Sequence, residues 1–573
     1  MPAFAVLAAA LVPAALAAAR VANVPDASHD RGVVRVLGLD AQIWRGLDTA
    51  IEVLLGAVPV GTRAARAGLG GALVVAASGA VLYVVVRALL AACAETRWLG
   101  ALVAAVAAIL PLVAAPWQSE SSSVGGSATG ALLVLLPVAL LHSRPAAPPS
   151  RDEGGEPPWR SAAFVLGLAF GYEPVVGACA LAGAAVLTAT REGARVSLVR
   201  QCRARPDRVG AAFLAGLAPG LLGIVRVRSA GLSVLGSLAA SWVGDPGGHS
   251  GVSPLPAAVA ALGPSVLVLG AGGAALALLA PRARPLALAL LAIALLGVAS
   301  GWLHVPCGPG RFSGPFLAAL AAVCALAGAG MQALVRVVAN AKVPLARASA
   351  AMVLLLEVVL PVDAADEALA RPSTRGAAAA AWDDTAWGEL PPSTVVLLTT
   401  ERAWVRAMAA RARGSLRDDI VVLPGFAPGP GSRRELASDP ALLPLWRDLE
   451  LTGAPSEASL AALAAARPLE MAYEPRWGRA LGAHLVADGL LDRFELEPRG
   501  ASDRRSALAA FAPRRERLAR LARGDGELAA QAAALLRARA LLLATVDSRD
   551  AEAIGKAVED ARAFEDPAVA VRP

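Results

Sequence analysis

The residues best suited to chemistry are ionisable side chains beside long apolar segments. Asp30 follows the first such segment, in the run His29-Asp30-Arg31-Gly32. A carboxylate just outside a bilayer can act as a general base toward the hydroxyl of a sugar acceptor, and the neighbouring Arg31 would keep it ionised. A solvated loop aspartate is the plainer alternative for Asp30.

Two further groups combine a carboxylate with a turn or a helix breaker. Trp242 and Asp245 lie in Trp242-Val243-Gly244-Asp245-Pro246, where the tryptophan can anchor a helix end at the membrane interface and Asp-Pro is a turn signal. Glu173 lies in Gly171-Tyr172-Glu173-Pro174, inside an apolar stretch. An ionisable group at membrane depth is costly and points to function, although a hairpin-tip carboxylate can also reach headgroups or water.

The composition places these residues in a membrane protein. Of 573 residues, 56% are apolar and 17% are charged. Residues 1–362 carry 25 basic and 15 acidic residues, whereas residues 363–573 carry 28 and 31. We therefore expect an α-helical polytopic membrane domain over 1–362, a soluble α/β domain over 363–500 and a helical tail over 501–573. The net charge of +7 comes from the first part, so it indicates membrane topology and not nucleic-acid binding.

The sequence lacks the motifs of several functional classes. The five cysteines show no metal-ligand spacing, so neither a zinc site nor a disulfide framework is predicted. The sequence contains no Walker loop, no GxGxxG after a strand and no GxSxG. A transporter is a weaker alternative, because no internal repeat is evident and few ionisable groups lie at mid-membrane.

Apolar segments recur through the first part and predict about eleven helices able to span the roughly 30 Å hydrocarbon core. Residues 161–190 are too long for one span, and Glu173-Pro174 divides them into two short legs. With that hairpin, the short arginine-rich loops all fall on one side, which the positive-inside rule assigns to the cytoplasm. Residues 21–66, residues 228–254 and the whole tail then lie on the external, periplasmic side of an inner cell membrane.

The tail begins with a βαβ-like pattern. Residues 394–399 and 419–423 read as buried strands around a helix from Glu401 to Arg413. We expect further strands at Pro468–Tyr473 and Phe494–Leu496, around a helix from Trp477 to Leu490. A helical pair is predicted at 526–546 and 550–563.

Six short motifs follow one another along residues 1–423. They are, in chain order, Asp30-Arg31-Gly32-Val33, Val58-Pro59-Val60-Gly61 with Arg63 or Arg66, Ala115-Pro116-Trp117-Gln118, Gly167-Leu168-Ala169-Phe170-Gly171, Trp242-Val243-Gly244-Asp245-Pro246 and Arg311-Phe312-Ser313. This order resembles the protein O-mannosyltransferase-like multi-pass family that includes transmembrane protein 260. Its relatives are the membrane glycosyltransferases with the C-type fold.

The resemblance implies transfer of a sugar from a polyprenyl-phosphate donor to an acceptor hydroxyl at the external membrane face. Asp30 would be the catalytic base. The substrate-binding positions that the resemblance implies are Arg31, Glu120, Trp242, Asp245 and Arg311. The implied partners are the lipid bilayer and the lipid-linked sugar, and no cofactor is implied.

Two departures from the family pattern support an alternative. Leu39-Asp40-Ala41-Gln42-Ile43-Trp44 stands where the family has a His-Pro-Pro-Gly step, and Val33 stands where the first motif ends in an acidic residue. The alternative is a catalytically inactive relative that acts as a binding or assembly subunit in envelope glycan or protein modification, with a membrane partner subunit.

Overall fold

The computed structural model describes most of the chain. The described residues are 2–21, 45–56, 58, 63–93, 97–122, 126–142, 158–191, 195, 206–229, 234–235, 254–303, 312–340, 342–425, 439–523 and 526–565. They form two compact units, one made mainly of residues up to Arg371 and one made mainly of residues from Pro372 onward.

The first unit is helical. Its helices are α1 (Pro2–Val21), α2 (Gly46–Gly56), α3 (Arg63–Cys93), α4 (Arg97–Val113), α5 (Ala115–Ser122), α6 (Ala128–His142), α7 (Pro158–Tyr172), α8 (Pro174–Thr190), α9 (Pro206–Ser229), α10 (Pro254–Leu279), α11 (Arg284–Leu303), α12 (Gly314–Asn340) and the start of α13 (Pro344–Trp387). Large apolar side chains of α9 remain 54–64% exposed, namely Leu221, Leu222 and Val225. Such a surface is stable in lipid, so this chain is a multi-pass membrane protein.

The described helices include fewer full-length membrane spans than the predicted number of membrane helices. Six described helices are long and apolar enough to cross a membrane, or seven spans if α4 and α5, bent by 65° at their junction, count as one. Several other apolar helices are shorter than the roughly 20 residues that cover the hydrocarbon core, so the figure of about eleven membrane helices stays a prediction. These shorter helices include Ala128–His142 and Pro174–Thr190.

The predicted division of residues 161–190 is confirmed. The helices α7 and α8 meet at Glu173, which has extended backbone angles, and Pro174 begins the second helix. Proline lacks the N–H that would continue the first helix, and its fixed φ suits a helix start. Glu173 therefore lies at the junction of two helices and not within one.

Glycines allow α7 and α9 to cross at very short range. A Cβ atom on Gly167 would lie 2.1 Å from the Phe213 carbonyl oxygen, and one on Gly216 would lie 2.1 Å from the Phe164 carbonyl oxygen. Only glycine lets the two backbones approach this closely. The crossing holds the α7 end of the α7–α8 junction against α9.

The second unit contains a five-stranded sheet of order β2-β1-β3-β5-β4. The strands are β1 (Val395–Leu398), β2 (Val421–Pro424), β3 (Leu469–Met471), β4 (Leu485–Asp488) and β5 (Leu491–Phe494). Strand β1 pairs in parallel with β2 and β3, whereas β5 pairs antiparallel with β3 and β4. The parallel β1 and β2 are joined through a helix, so the predicted βαβ pattern is confirmed.

Helices surround this sheet. They are the end of α13 and then α14 (Glu401–Arg413), α15 (Leu443–Thr452), α16 (Glu457–Ala466), α17 (Gly478–Gly482), α18 (Ala501–Ala522), α19 (Gly526–Val546) and α20 (Ala551–Arg562). The predicted helices at 401–413, 526–546 and 550–563 are confirmed within a residue. Although α19 contains one of the six membrane-length apolar segments, Leu542 and Val546 belong to the core beneath the sheet. We therefore assign α19 to the core of this unit.

The predicted helix from Trp477 to Leu490 is wrong. Only the short α17 forms there, and β4 and β5 follow as a hairpin. Gly489, between the two strands, has φ of +71°, which glycine adopts at little cost. Asp488-Gly489 is a hairpin signal that outweighs the helical pattern of the residues before it.

Candidate functional site

The short helix α5 is fixed by polar contacts to three other helices. The Trp117 indole Nε1 donates to the Leu317 carbonyl of α12 over 3.0 Å. The Gln118 side-chain amide donates to the Leu112 carbonyl at 2.6 Å and to the Pro13 carbonyl at 3.2 Å. The Trp-Gln step of the sequence motif thus satisfies main-chain carbonyls inside an apolar bundle, where an unpaired carbonyl is costly.

Glu120, two residues further along α5, is the predicted substrate-binding residue that the structure describes. Its side chain is 1% exposed. One carboxylate oxygen accepts from the Ser127 N–H at 2.9 Å and the other accepts from the Phe312 N–H at 2.8 Å. The carboxylate therefore joins α5 to the segments that precede α6 and α12. A contact of Glu120 with substrate stays a prediction.

A buried ion pair lies at the α7–α8 junction. The Arg45 Nε donates to the Glu173 carboxylate, and the Arg45 Nη2 donates to the Ser127 hydroxyl at 3.2 Å. The Arg45 guanidinium also lies 5.7 Å from the centre of the Tyr172 ring. Since Ser127 also binds Glu120 through its N–H, the ion pair and the Glu120 contacts form one connected cluster.

The backbone of Arg45 is itself unusual. Its φ is +64°, a left-handed conformation that costs a non-glycine residue on the order of 1–3 kcal/mol. The Arg45 N–H donates to the Tyr172 carbonyl at 3.0 Å. The side-chain and main-chain contacts together hold this conformation at the residue that directly precedes α2.

Asp48, in the first turn of α2, completes the cluster. Its Oδ2 accepts from the Tyr172 hydroxyl at 2.7 Å, and Asp48 is only 6% exposed. Helix N-termini favour carboxylates, because the N–H groups of the first turn are unpaired. The polar cluster, defined as Arg45, Asp48, Glu120, Ser127, Tyr172 and Glu173, thus gathers three segments that are far apart in sequence.

A small cavity of about 20 Å³, roughly the space of one water molecule, adjoins the polar cluster. Its lining consists of Asp48, Ile51, Gly70, Gly71, Val74, Glu120, Gly126, Ala128 and Thr129. A Cβ atom on Gly71 would lie 1.7 Å from the Ser121 carbonyl oxygen, and one on Gly126 would lie 1.7 Å from the Glu120 carbonyl oxygen. The glycines therefore let α3 and the segment before α6 close around α5 and form the cavity wall.

The lining favours ligands that carry hydroxyl groups. Carboxylates such as Asp48 and Glu120 are acceptors that can bind several hydroxyl protons, while Val74 and Ile51 supply apolar contact. Within the described part of the chain, no group of three or more His, Cys, Asp or Glu is placed to hold a metal ion.

Five predicted site residues lie outside the described residues. They are Asp30, Arg31, Trp242, Asp245 and Arg311. Their roles stay predictions. Phe312, which follows Arg311 in the sequence, is described, and its N–H donates to Glu120.

Sequence reasoning missed Arg45, Asp48 and Tyr172 as members of a site. The residues joined by the Tyr172–Asp48 hydrogen bond are 124 positions apart, and those joined by the Arg45–Glu173 pair are 128 apart. Nothing local in the sequence links them. The signal that could have found them is Glu173 itself, because a carboxylate within an apolar stretch requires a basic partner.

Comparison with known proteins gives distant similarities. No family model matches the sequence, and no curated protein matches it. The chain is similar to ArnT from Cupriavidus metallidurans bound to undecaprenyl phosphate, with 15% identity and a TM-score of 0.49 over 85% of this chain and 96% of that one. It is also similar to the archaeal oligosaccharyltransferase AglB from Archaeoglobus fulgidus in complex with an inhibitory peptide and a dolichol-phosphate, with 12% identity and a TM-score of 0.46 over 81% and 69%. At these values neither likeness assigns the chain to a family.

Proposed function

We propose that this protein is an integral-membrane glycosyltransferase that moves a sugar from a polyprenyl-phosphate donor to an acceptor hydroxyl at the external face of the inner membrane. The observation that carries the proposal is the buried polar cluster, in which Asp48 and Glu120 line a small cavity, within an apolar helical unit. A lipid-linked sugar needs apolar surroundings for its chain and polar acceptors for its hydroxyls, and this unit supplies both.

Asp30 is the proposed base. It precedes the strained Arg45 in the same connection between α1 and α2, so the contacts of Arg45 fix one end of the segment that carries it. A base must lie within hydrogen-bond reach of the hydroxyl it deprotonates, and fixing the end of its segment restricts where it can be. The proposed binding roles of Arg31, Trp242, Asp245 and Arg311 belong to the same proposal.

Transfer can be tested with the full chain in lipid nanodiscs. A radiolabelled polyprenyl-phosphate sugar is supplied, and release of the label from the lipid is measured. We expect Asp30→Asn to lose transfer while inserting and accumulating normally. The matched control is Asp207→Asn, an exposed aspartate at the start of α9. Full transfer by Asp30→Asn would remove the proposed base.

A non-catalytic binding or assembly subunit is the second candidate. It is favoured by Glu120, whose two carboxylate oxygens already accept main-chain N–H groups and so serve the fold. Such a subunit would bind the lipid-linked sugar without releasing the label and would co-purify with a membrane partner. A monomer that transfers sugar unaided would remove this candidate.

A further inference from the structure

Helix α13 carries one carboxylate on an otherwise apolar inward stripe. Ala350 and Glu357 are 4% and 1% exposed, and Leu354 packs against the core of the first unit at the spacing between them. The opposite face is apolar and exposed, with Met352, Leu355, Leu356 and Val359 at 48–58%. Ala350, Leu354 and Glu357 therefore lie on the inward face of α13, about one helical turn apart. The last of them places a carboxyl group within the membrane unit.

Among the described residues, Glu357 has no counter-charge. Neither of its carboxylate oxygens has a hydrogen-bond partner of normal geometry among the described residues. The hydroxyl of Ser265 on α10 lies beside it, and the thiol of Cys324 on α12 is the other ionisable group that faces it. An isolated ionised carboxylate in such surroundings is too costly to persist, so its negative charge has to be neutralised by something small.

The helix that presents Ser265 is broken at this point. Within α10, Gly263 has φ of 76° and ψ of 158°, and Pro264 follows it. Proline has no N–H to give to the carbonyl of Ala260, so the break removes a main-chain donor inside the membrane unit. Broken helices in membrane proteins place such main-chain carbonyls where small cations bind.

We propose that Glu357, Ser265 and the break at Gly263 form a binding site for one small monovalent cation, either a proton or a sodium ion. The site provides a single negative charge and the side-chain oxygens of Glu357 and Ser265, which suits a hard ion of charge +1. None of its residues lines the cavity described above. The site is therefore separate from the proposed sugar-transfer centre and does not depend on it.

The site can be tested by carbodiimide labelling of the full chain in lipid nanodiscs. An apolar carbodiimide modifies protonated carboxyls in apolar surroundings, and peptide mass spectrometry locates the adduct. In sodium-free choline buffer at neutral pH, we expect modification of Glu357. Asp363, exposed on the same helix, is the internal control and should stay unmodified because its carboxyl group is not in apolar surroundings. Glu357→Gln should lose the adduct and leave all other adducts unchanged.

Two arms identify the ion. If sodium chloride protects Glu357 and an equal concentration of choline chloride does not, the site binds sodium. If only a rise in pH protects it, by about tenfold per unit above the midpoint, the site binds a proton. Ser265→Ala keeps the carboxyl and should change the protection by whichever ion binds. The proposal is overturned if Glu357 stays unmodified at neutral pH in sodium-free buffer although it reacts in the unfolded chain, or if neither pH nor sodium alters its modification.

Discussion

The two units of the molecule use buried charges in different ways. In the first, Arg45, Asp48, Glu120 and Glu173 converge beside one cavity. In the described part of the second, buried arginine–carboxylate pairs are separate, and each one joins two elements, as Arg406–Asp383 and Arg539–Asp492 do. Convergence at a cavity indicates a site, whereas isolated pairs indicate clamps that hold helices and strands together. Mutations of these charges should therefore affect mainly function in the first unit and mainly stability in the second.

Breaking a clamp should produce the largest loss of stability. Asp383 is fully buried, and its two oxygens accept from Arg406 at 2.9 and 2.8 Å. Asp383→Asn leaves a buried guanidinium without its counter-charge and should cost about 3–5 kcal/mol of unfolding free energy. Asp384→Asn, at the exposed neighbouring position, should change it by less than about 0.5 kcal/mol. Chemical denaturation measures both, and equal losses would contradict the clamp.

Neutralising the converging cluster should act on function more than on stability. Glu173→Gln keeps the size of the side chain and its capacity to accept from Arg45, so we expect a loss of about 1–3 kcal/mol in unfolding free energy. Sugar transfer per folded molecule should fall about tenfold or more, since Arg45 is no longer held at the α7–α8 junction. Unchanged transfer together with a loss as large as that of Asp383→Asn would make this pair a clamp as well.

One buried carboxyl of the second unit should make its stability depend on pH. Glu470 on β3 is fully buried, and burial, followed by the neighbouring Asp488 charge, raises the pKa of Glu470 well above 4.5. A raised folded-state pKa adds stability that is complete below pH 4.5 and is lost as the pH rises toward the folded pKa.

Glu470→Gln should therefore flatten this dependence. We expect the variant to be more stable than the parent at neutral pH and to lose this advantage in acid. Glu450→Gln, at an exposed position of α15, is the matched control. Denaturation midpoints across the pH range provide the measurement. A profile for Glu470→Gln parallel to that of the parent would refute the assignment.

The smallest effect should come from a single hydroxyl of the cluster. Tyr172→Phe removes the hydrogen bond to Asp48 and should cost about 1 kcal/mol or slightly more, because a carboxylate loses a buried donor. Tyr83, whose buried hydroxyl has no hydrogen-bond partner in the part of the chain that the structure describes, provides the control. Tyr83→Phe should be neutral or slightly stabilising in the same assay. A reversed order of the two variants would show that the Tyr172–Asp48 contact does not contribute.

Local patterns were predictable from the sequence. The apolar strand before α14, together with Thr400 as the N-cap, predicts where this helix begins. Pro174 predicts the α7–α8 junction. The hairpin at Gly489 was missed because helical periodicity across the preceding residues outweighed a two-residue turn signal.

The site was less predictable than the fold. Glu173 stands out because it is a charge in an apolar stretch, whereas Glu120 was reached only through the family resemblance. The partners of Glu173 could not be found in the same way, since Arg45 looks like one of many loop arginines until the fold brings it to the α7–α8 junction. Contacts between residues more than a hundred positions apart depend on how the helices pack. That packing cannot be predicted from the residues next to Arg45 or Glu173 in the sequence.

The central claim is that the sugar-bearing end of a lipid donor binds beside the polar cluster. Photo-crosslinking tests it most directly and does not require turnover. A polyprenyl-phosphate sugar with a photoreactive group near the phosphate is added to the full chain in nanodiscs, and the crosslinked peptides are mapped by mass spectrometry. We predict adducts at residues 70–74 and 126–129 that are competed by unlabelled donor. Competed adducts confined to other parts of the first unit would contradict the claim.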